Sequence, residues 1–99
     1  MCSSDLEEGA ALRVRGLILA ALGRPDDALE CLIASRELLA SINERFELGK
    51  TLYETSRFMR ETPIGEAEEA WRLLKEASFH FEQLRVSEWI AREIGRAHV

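Results

Sequence analysis

Ninety-nine residues, 46% of them hydrophobic and 31% charged, allow one domain with a modest core. A net charge of −5 supplies no field to gather nucleic acid or an anionic membrane. No apolar run reaches bilayer length, since Arg13, Arg15 and Arg24 bracket the longest. The acidic start (Asp5, Glu7, Glu8) lacks the basic segment of a secretory signal, so a cytoplasmic location is expected.

The two ends are related at the nucleotide level. Met1-Cys2-Ser3-Ser4-Asp5-Leu6 can be written gtg tgc tct tcc gat ct, and Glu93-Ile94-Gly95-Arg96-Ala97-His98-Val99 can be written gag atc gga aga gca cac gtc. The first string is the reverse complement of a stretch inside the second. Both resemble a common sequencing-library adapter, whose continuation supplies a stop codon where the chain ends. Residues 1–6 and 93–99 are therefore expected to be adapter-like tails around a domain at 7–92, itself a piece of a longer reading frame. The alternative is a natural pair of polar tails. Cys2 and His98 then carry no functional weight, which leaves Cys31 and His80.

A first helix is expected from Glu7 to Leu22, where Leu12, Val14, Ile18, Leu19, Ala21 and Leu22 form a broad apolar stripe. Glu7 and Glu8 suit its first turn, where the helix dipole favours anions. Gly23 suits the left-handed position past a helix end, and Pro25 opens the second helix where its missing N–H would have no partner anyway. So short a turn makes the two helices antiparallel. The second helix runs to about Ile42, with Ala28, Leu29, Leu32, Leu38, Leu39 and Ile42 for packing and Asn43 as a left-handed terminator. A third spans about Phe46 to Glu61. Thr62-Pro63-Ile64-Gly65 breaks it, because proline disfavours helix at the residue before it and cannot donate to the previous turn. The fourth is expected from Gly65 to Leu84, followed by a short joint at Arg85-Val86 and a last helix capped by Ser87 and holding Trp89. No strand pattern occurs, and the expected fold class is all-α.

The chain also repeats itself. Gly16, Leu19, Gly23, Ala28, Leu32 and Ser35 answer to Ser56, Met59, Gly65, Ala70, Leu74 and Ala77, at an offset of 40 for the early pairs and 42 for the later ones. Such a period marks stacked helix pairs. Small residues at Gly16, Ala28, Ser35, Ser56, Ala70 and Ala77 let paired helices approach closely, while Leu32, Met59 and Leu74 fill the layers between them.

These residues resemble the tetratricopeptide repeat, an antiparallel helix hairpin that stacks into an α-solenoid. The family pattern is a small residue, a bulky one three later, a turn glycine, then alanine and a bulky residue four later; Gly16, Leu19, Gly23, Ala28 and Leu32 follow it. Ser56, Met59, Gly65, Ala70 and Leu74 follow it with a turn two residues longer. Arg15 in a usual leucine slot and Ser56 in place of glycine are departures that touch the helix-pair geometry. Leu38-Leu39-Ala40-Ser41-Ile42-Asn43 followed by Phe46-Glu47-Leu48-Gly49-Lys50-Thr51-Leu52-Tyr53 is similar to the long-period variety. So is Phe79-His80-Phe81-Glu82-Gln83-Leu84 followed by Trp89. That resemblance covers nearly all of 7–92. It implies an array of the kind found in large bacterial transcriptional regulators, after an ATPase module, and in signalling proteins with cyclases or kinases.

No catalytic constellation is legible, and no enzyme activity is expected. Once Cys2 is set aside, Cys31 stands alone, without a disulfide or zinc partner, and is expected as a small core or groove residue. His80, between Phe79 and Phe81, has no second histidine for metal or base chemistry. Glu66, Glu68 and Glu69 cluster in a first helical turn, where the dipole accounts for them. No phosphate loop or HExxH motif occurs, and neither cofactor nor metal is expected.

One strip carries a binding hypothesis. If the repeat alignment holds, the first helix of each pair lines a concave face, placing Arg13 and Leu17 beside Lys50, Tyr53, Arg57 and Arg60. A basic strip with one aromatic suits an acidic or carboxylate-bearing peptide. The plainer reading is a solvated face with pairs such as Arg57–Glu61, each contributing only a few tenths of a kcal/mol. The expected function is thus a protein-interaction or inter-domain scaffold with a protein or peptide partner, and no direct contact with nucleic acid or membrane. Two such hairpins are fewer than the three usually needed for independent stability, so self-association through apolar edges near Leu12 and Trp89 is a further expectation. The contrasting class is a small all-α enzyme or ligand- or metal-binding bundle with a central polar pocket, which would need inward-facing Glu or His on facing helices.

Overall fold

The computed structural model describes the backbone of residues 2–62 and 67–97, and the side chains of 4–62, 67–88, 91 and 92. Every regular element among the described residues is helical: α1 (Cys2–Ala21), α2 (Pro25–Ser41), α3 (Arg45–Glu61) and α4 (Ala67–Ala97). Pro63, Ile64, Gly65 and Glu66, the Trp89 side chain and His98 lie outside the described residues.

The first two turns are built alike. Gly23 sits at φ 78, its N–H bonded to Ala20 O at 3.1 Å, and the Arg24 N–H reaches Leu19 O at 3.0 Å. Asn43 sits at φ 57, its N–H bonded to Ala40 O at 3.1 Å, and the Glu44 N–H reaches Leu39 O at 3.0 Å. Both patterns are the 6→1 and 5→2 bonds that satisfy the last carbonyls of a helix around one left-handed residue. Pro25 begins α2 as expected. At the third turn, Thr62 is extended (φ −128, ψ 154), as the residue before proline must be.

The fourth boundary differs from expectation. α4 runs unbroken through Arg85 and Val86, and Ser87 lies inside the helix and caps nothing. The cause is local. The counterpart of Asn43, 42 residues on, is Arg85, whose side chain makes a left-handed stop unfavourable by about 1–2 kcal/mol. Neither glycine nor proline follows within the next residues to end the helix another way.

Contacts set the directions of the helices. Gly9 lies against Leu39, and Gly16 against Ala28 and Leu32, so early residues of α1 meet late residues of α2 and the pair is antiparallel. Gly49 lies against Phe81, and the Ser56 hydroxyl donates to Ala70 O at 2.8 Å, so α3 and α4 are antiparallel too. Links between α1 and α3 join residues 34 and 38 positions apart, and a link between α2 and α4 joins residues 40 apart. α1 therefore runs alongside α3 in the same sense, while α2 packs on α3 and reaches α4 through side chains.

Two clusters form the core. Leu39, Leu48, Leu52, Leu73 and Ala77 make one, drawn from α2, α3 and α4, with Leu6, Ile42, Met59 and Phe81 packed against it. Ala28, Leu32 and Phe58 make the other, flanked by Leu19, Ala20, Leu29 and Met59. Each fully buried leucine contributes about 1.5–3 kcal/mol of transfer free energy, and most of this lies at the junction of the two helix pairs. Ala28 and Ala70 are both fully buried, between neighbours.

The matched bulky positions are covered unequally. Leu32 is fully buried, in a cluster with Phe58, whereas its counterpart Leu74 is only half-buried and Leu73 takes the core position beside Leu39 and Leu52. Leu32 has the second helix pair stacked over it. Among the described residues, no further pair stands over Leu74.

Candidate functional site

The six residues of the expected strip divide into three situations. Arg13 is not available to a ligand. It is 9% exposed, and its Nη1 lies 2.9 Å from Glu47 Oε1, 3.3 Å from Glu47 O and 3.4 Å from Thr51 Oγ1. From Thr51 a chain of hydroxyls closes back onto α1. Ser35 Oγ donates to Gly9 O at 2.7 Å, because a carbonyl can only accept. Ser35 has no second proton, so Thr51 Oγ1 is the donor in the 2.9 Å contact between the two hydroxyls. Arg13 in turn donates to Thr51 Oγ1. The network joins α1, α2 and α3 and holds the register of the two helix pairs.

Glu47 is the hinge of this charge arrangement. Burial pushes its carboxyl up, but Arg13 and then Lys50 outweigh that and hold it below the usual glutamate value. Lys50 Nζ lies 3.3 Å from Glu47 Oε2 and 4.9 Å from the centroid of the Phe46 ring.

Lys50, Tyr53 and Arg57 lie on the open side of α3, as helical spacing requires, but the cations are partnered. Arg57 pairs with Glu54 at 3.1 Å, in place of the expected pair with Glu61. An arginine four residues before a glutamate is the less favourable helix orientation, and Glu54 offers the closer carboxylate. Lys50, Tyr53 and Glu54 border a groove with Arg13 and Phe81. Leu17, Ala20 and Ala21 of α1 face Glu54, Arg57, Phe58 and Glu61 across a second groove of about 380 Å³. Glu54 borders both. Arg60 is exposed and borders neither. The strip is thus a mixed-charge face, with Glu47, Glu54 and Glu61 among its cations.

Sequence spacing found α3's open face but missed the group that organises it. The repeat pattern marks Ser35 only as a small residue and gives Glu47 and Thr51 no polar role; the role of Glu47 and Thr51 comes from α1 lying beside α3, which brings Arg13 within reach of residues more than thirty positions away. The one local signal is Glu47 three residues before Lys50, a common ion-pair spacing.

The remaining polar residues also have placements. His80 accepts from Arg45 Nη1 at Nδ1 (3.2 Å), since arginine can only donate, which puts the ring proton on Nε2, 3.7 Å from Glu76 Oε2. Glu76 Oε1 meets Arg36 of α2 at 3.4 Å. Cys31 is a half-buried free thiol. Glu68 and Glu69 lie in the first turn of α4, where Glu69 pairs with Arg72. Among the described residues, no three His, Cys, Asp or Glu side chains gather as a metal site, and no helix is long and apolar enough to cross a membrane. No protein-family model, curated protein or solved structure matches the chain.

Proposed function

We propose that the chain is a two-hairpin piece of a tetratricopeptide-like solenoid, drawn from a larger bacterial regulatory or signalling protein, that works by holding a protein partner or neighbouring domains. The observation that carries this reading is a recurrence of contacts. Gly9 against Leu39 recurs, 40 and 42 residues on, as Gly49 against Phe81. Gly16, where an added Cβ would lie 3.1 Å from Ala28 O, recurs as Ser56, whose hydroxyl donates to Ala70 O. Two helix pairs that use the same slots for the same contacts are two copies of one unit. Such units stack through their faces and expose elongated contact surfaces.

The open face of α3, with the α1 groove beside it, is the proposed partner surface. The Lys50 and Arg57 side chains keep 40% and 49% of their surface exposed, so a carboxylate-bearing peptide can add an acidic partner to each without displacing Glu47 or Glu54. Arg13 serves this face from behind, by fixing α1 against α3. The reading involves no catalysis, and the adapter-like ends belong to the ends of the piece and not to its contact surface.

The test is a calorimetric titration of a glutamate-rich peptide into the wild type and the Arg57→Glu/Arg60→Glu double variant. Saturable binding that the double variant loses, and that weakens with salt, supports the acidic-peptide surface. Equal binding to both proteins, or binding to neither, removes it.

A further inference from the structure

At one side of the molecule two helices finish next to each other. α1 ends at Ala21 and α3 at Glu61, and because the two run in the same sense, their last turns border one groove of about 380 Å³. Leu17, Ala20 and Ala21 of α1 and the buried Phe58 of α3 give it apolar walls. Apolar walls with a few polar groups, at a volume between about 300 and 1,000 Å³, are the usual make-up of a ligand site. The charges that border the groove are mostly negative. Each helix presents the negative end of its dipole there. α1 has no basic residue in its last turn, and Arg60, in the last turn of α3, is exposed and does not border the groove. Glu54 and Glu61 supply two carboxylates, and Arg57 the one cation. Arg57 turns to Glu54, Nη2 lying 3.1 Å from Oε1, yet that oxygen is buried and receives no hydrogen bond. The exposed Glu61 is left with no cation at ion-pair distance among the described residues. Thr62 beside it donates its hydroxyl proton to Phe58 O at 3.0 Å and keeps lone pairs to accept from another donor.

We infer that this groove seats a lysine side chain of a bound peptide, with the aliphatic stem on Leu17, Ala21 and Phe58 and the ammonium at the Glu61–Thr62 end. Lysine joins an apolar stem to a compact charge, which matches apolar walls that lead to a negative end. Its single charge meets the one carboxylate that Arg57 leaves unbalanced. Its three donors suit the Glu61 carboxylate and the Thr62 oxygen together. Glu54 borders both this groove and the one beside Lys50 and Tyr53, so an extended chain on the open face of α3 passes from one to the other. The choice of a peptide over a free amine rests on the partner surface proposed above, whereas the choice of a cation does not. The partner then carries acidic residues for Lys50 and Arg57, and a lysine close to them for the groove.

The experiment is a proton–nitrogen NMR titration of the full chain with an end-capped, alanine-based peptide that holds one lysine. A second peptide holds norleucine instead, which keeps the stem and lacks the ammonium. The lysine peptide should shift the amides of Leu17, Ala21, Glu61 and Thr62 saturably. Norleucine in the peptide, or Glu61→Gln in the protein, should weaken binding by about threefold or more, the effect of one half-exposed ion pair. Ala21→Leu, which narrows the groove without changing its charge, should weaken both peptides. Glu61 and Ala21 are exposed, so far-UV circular dichroism of each variant should match the wild type. The Arg57→Glu/Arg60→Glu double variant separates the two readings: it should lose a glutamate-rich peptide yet hold the lysine peptide at least as tightly as the wild type does. Equal affinity for lysine and norleucine, indifference to Glu61→Gln, or no saturable shift at these amides overturns the lysine seat and leaves the acidic-peptide surface untouched. Failure of the glutamate-rich peptide alone removes that surface and leaves the cation seat in place.

Discussion

Leu39→Ala removes a side chain with no exposed surface from the cluster that ties α2 to α3 and α4. Leu39 also rests directly on the α1 backbone: a Cβ built at Gly9 would lie 2.5 Å from Leu39 Cδ2. A side chain can swing into a vacated space, but a helix backbone held by Gly9 and Gly16 cannot follow without unpacking the whole pair. The cavity should therefore persist, placing the loss at about 3–5 kcal/mol, the upper part of the range for leucine truncation. In a domain of this size each kcal/mol lowers the melting temperature by about 4–8 °C, so the midpoint should fall by at least about 12 °C. Ile33→Ala on the same helix is the control; Ile33 is 41% exposed and its truncation should stay within about 0.5 kcal/mol. Thermal and urea unfolding, followed by far-UV circular dichroism, read both. Because Leu39 touches both hairpins, the transition should remain single and move as a whole. A Leu39→Ala midpoint no lower than that of Ile33→Ala, or a split transition that leaves half the helix standing, would refute this packing.

Three further outcomes follow from particular residues. Glu47 has its carboxyl held below the ordinary glutamate value, so the stability it adds is complete above that ordinary value and disappears as pH falls through the lower folded value. A Glu47→Gln variant should lack this acid-side loss in a urea-midpoint profile across that window, and a variant profile that tracks the wild type would show the pair to be idle. Asn43 sits at φ 57, so Asn43→Val should destabilise by about 1–2 kcal/mol while Asn43→Gly is neutral or slightly stabilising. Equal effects of the two substitutions would contradict a left-handed stop. Ser56→Ala should lose about 0.5–1.5 kcal/mol with its hydrogen bond to Ala70 O, read from chemical unfolding; no loss would mean that the hydroxyl is not engaged.

What the sequence revealed and what it concealed divide by range. Gly23, Pro25, Asn43 and the end of α3 at Thr62 are legible because each expresses a backbone preference acting within a turn or two. Ala28 and Ala70 are legible because only a small side chain lets two helices close, and the period exposes their equivalence. The continuation of α4 escaped because a resemblance to a repeat anticipates a joint where this chain, with Arg85 in the terminating slot, has no residue to make one. Arg13 was read as a surface cation because spacing alone places it on a helix face; only the distance between α1 and α3 shows that Glu47 and Thr51 enclose it. Leu73 was passed over for Leu74 because matching within one hairpin is blind to which side the neighbouring hairpin covers. The mixed charge of the strip is legible only in part: spacing offers the Arg57–Glu61 pair, but Glu47 and Glu54, which actually hold Lys50 and Arg57, are each three residues before their cation and are not singled out by it.

The central claim is that two hairpins place equivalent residues in equivalent contacts, and proton–proton NOEs on the isotope-labelled wild-type monomer test it most directly. Gly9 α-protons should show cross-peaks to the Leu39 methyls, Gly49 α-protons to the Phe81 ring, and the Ser56 β-protons to the backbone around Ala70. Cross-peaks within the first pair only, with Phe81 and Ala70 remote from α3, would contradict the equivalence and with it the solenoid reading.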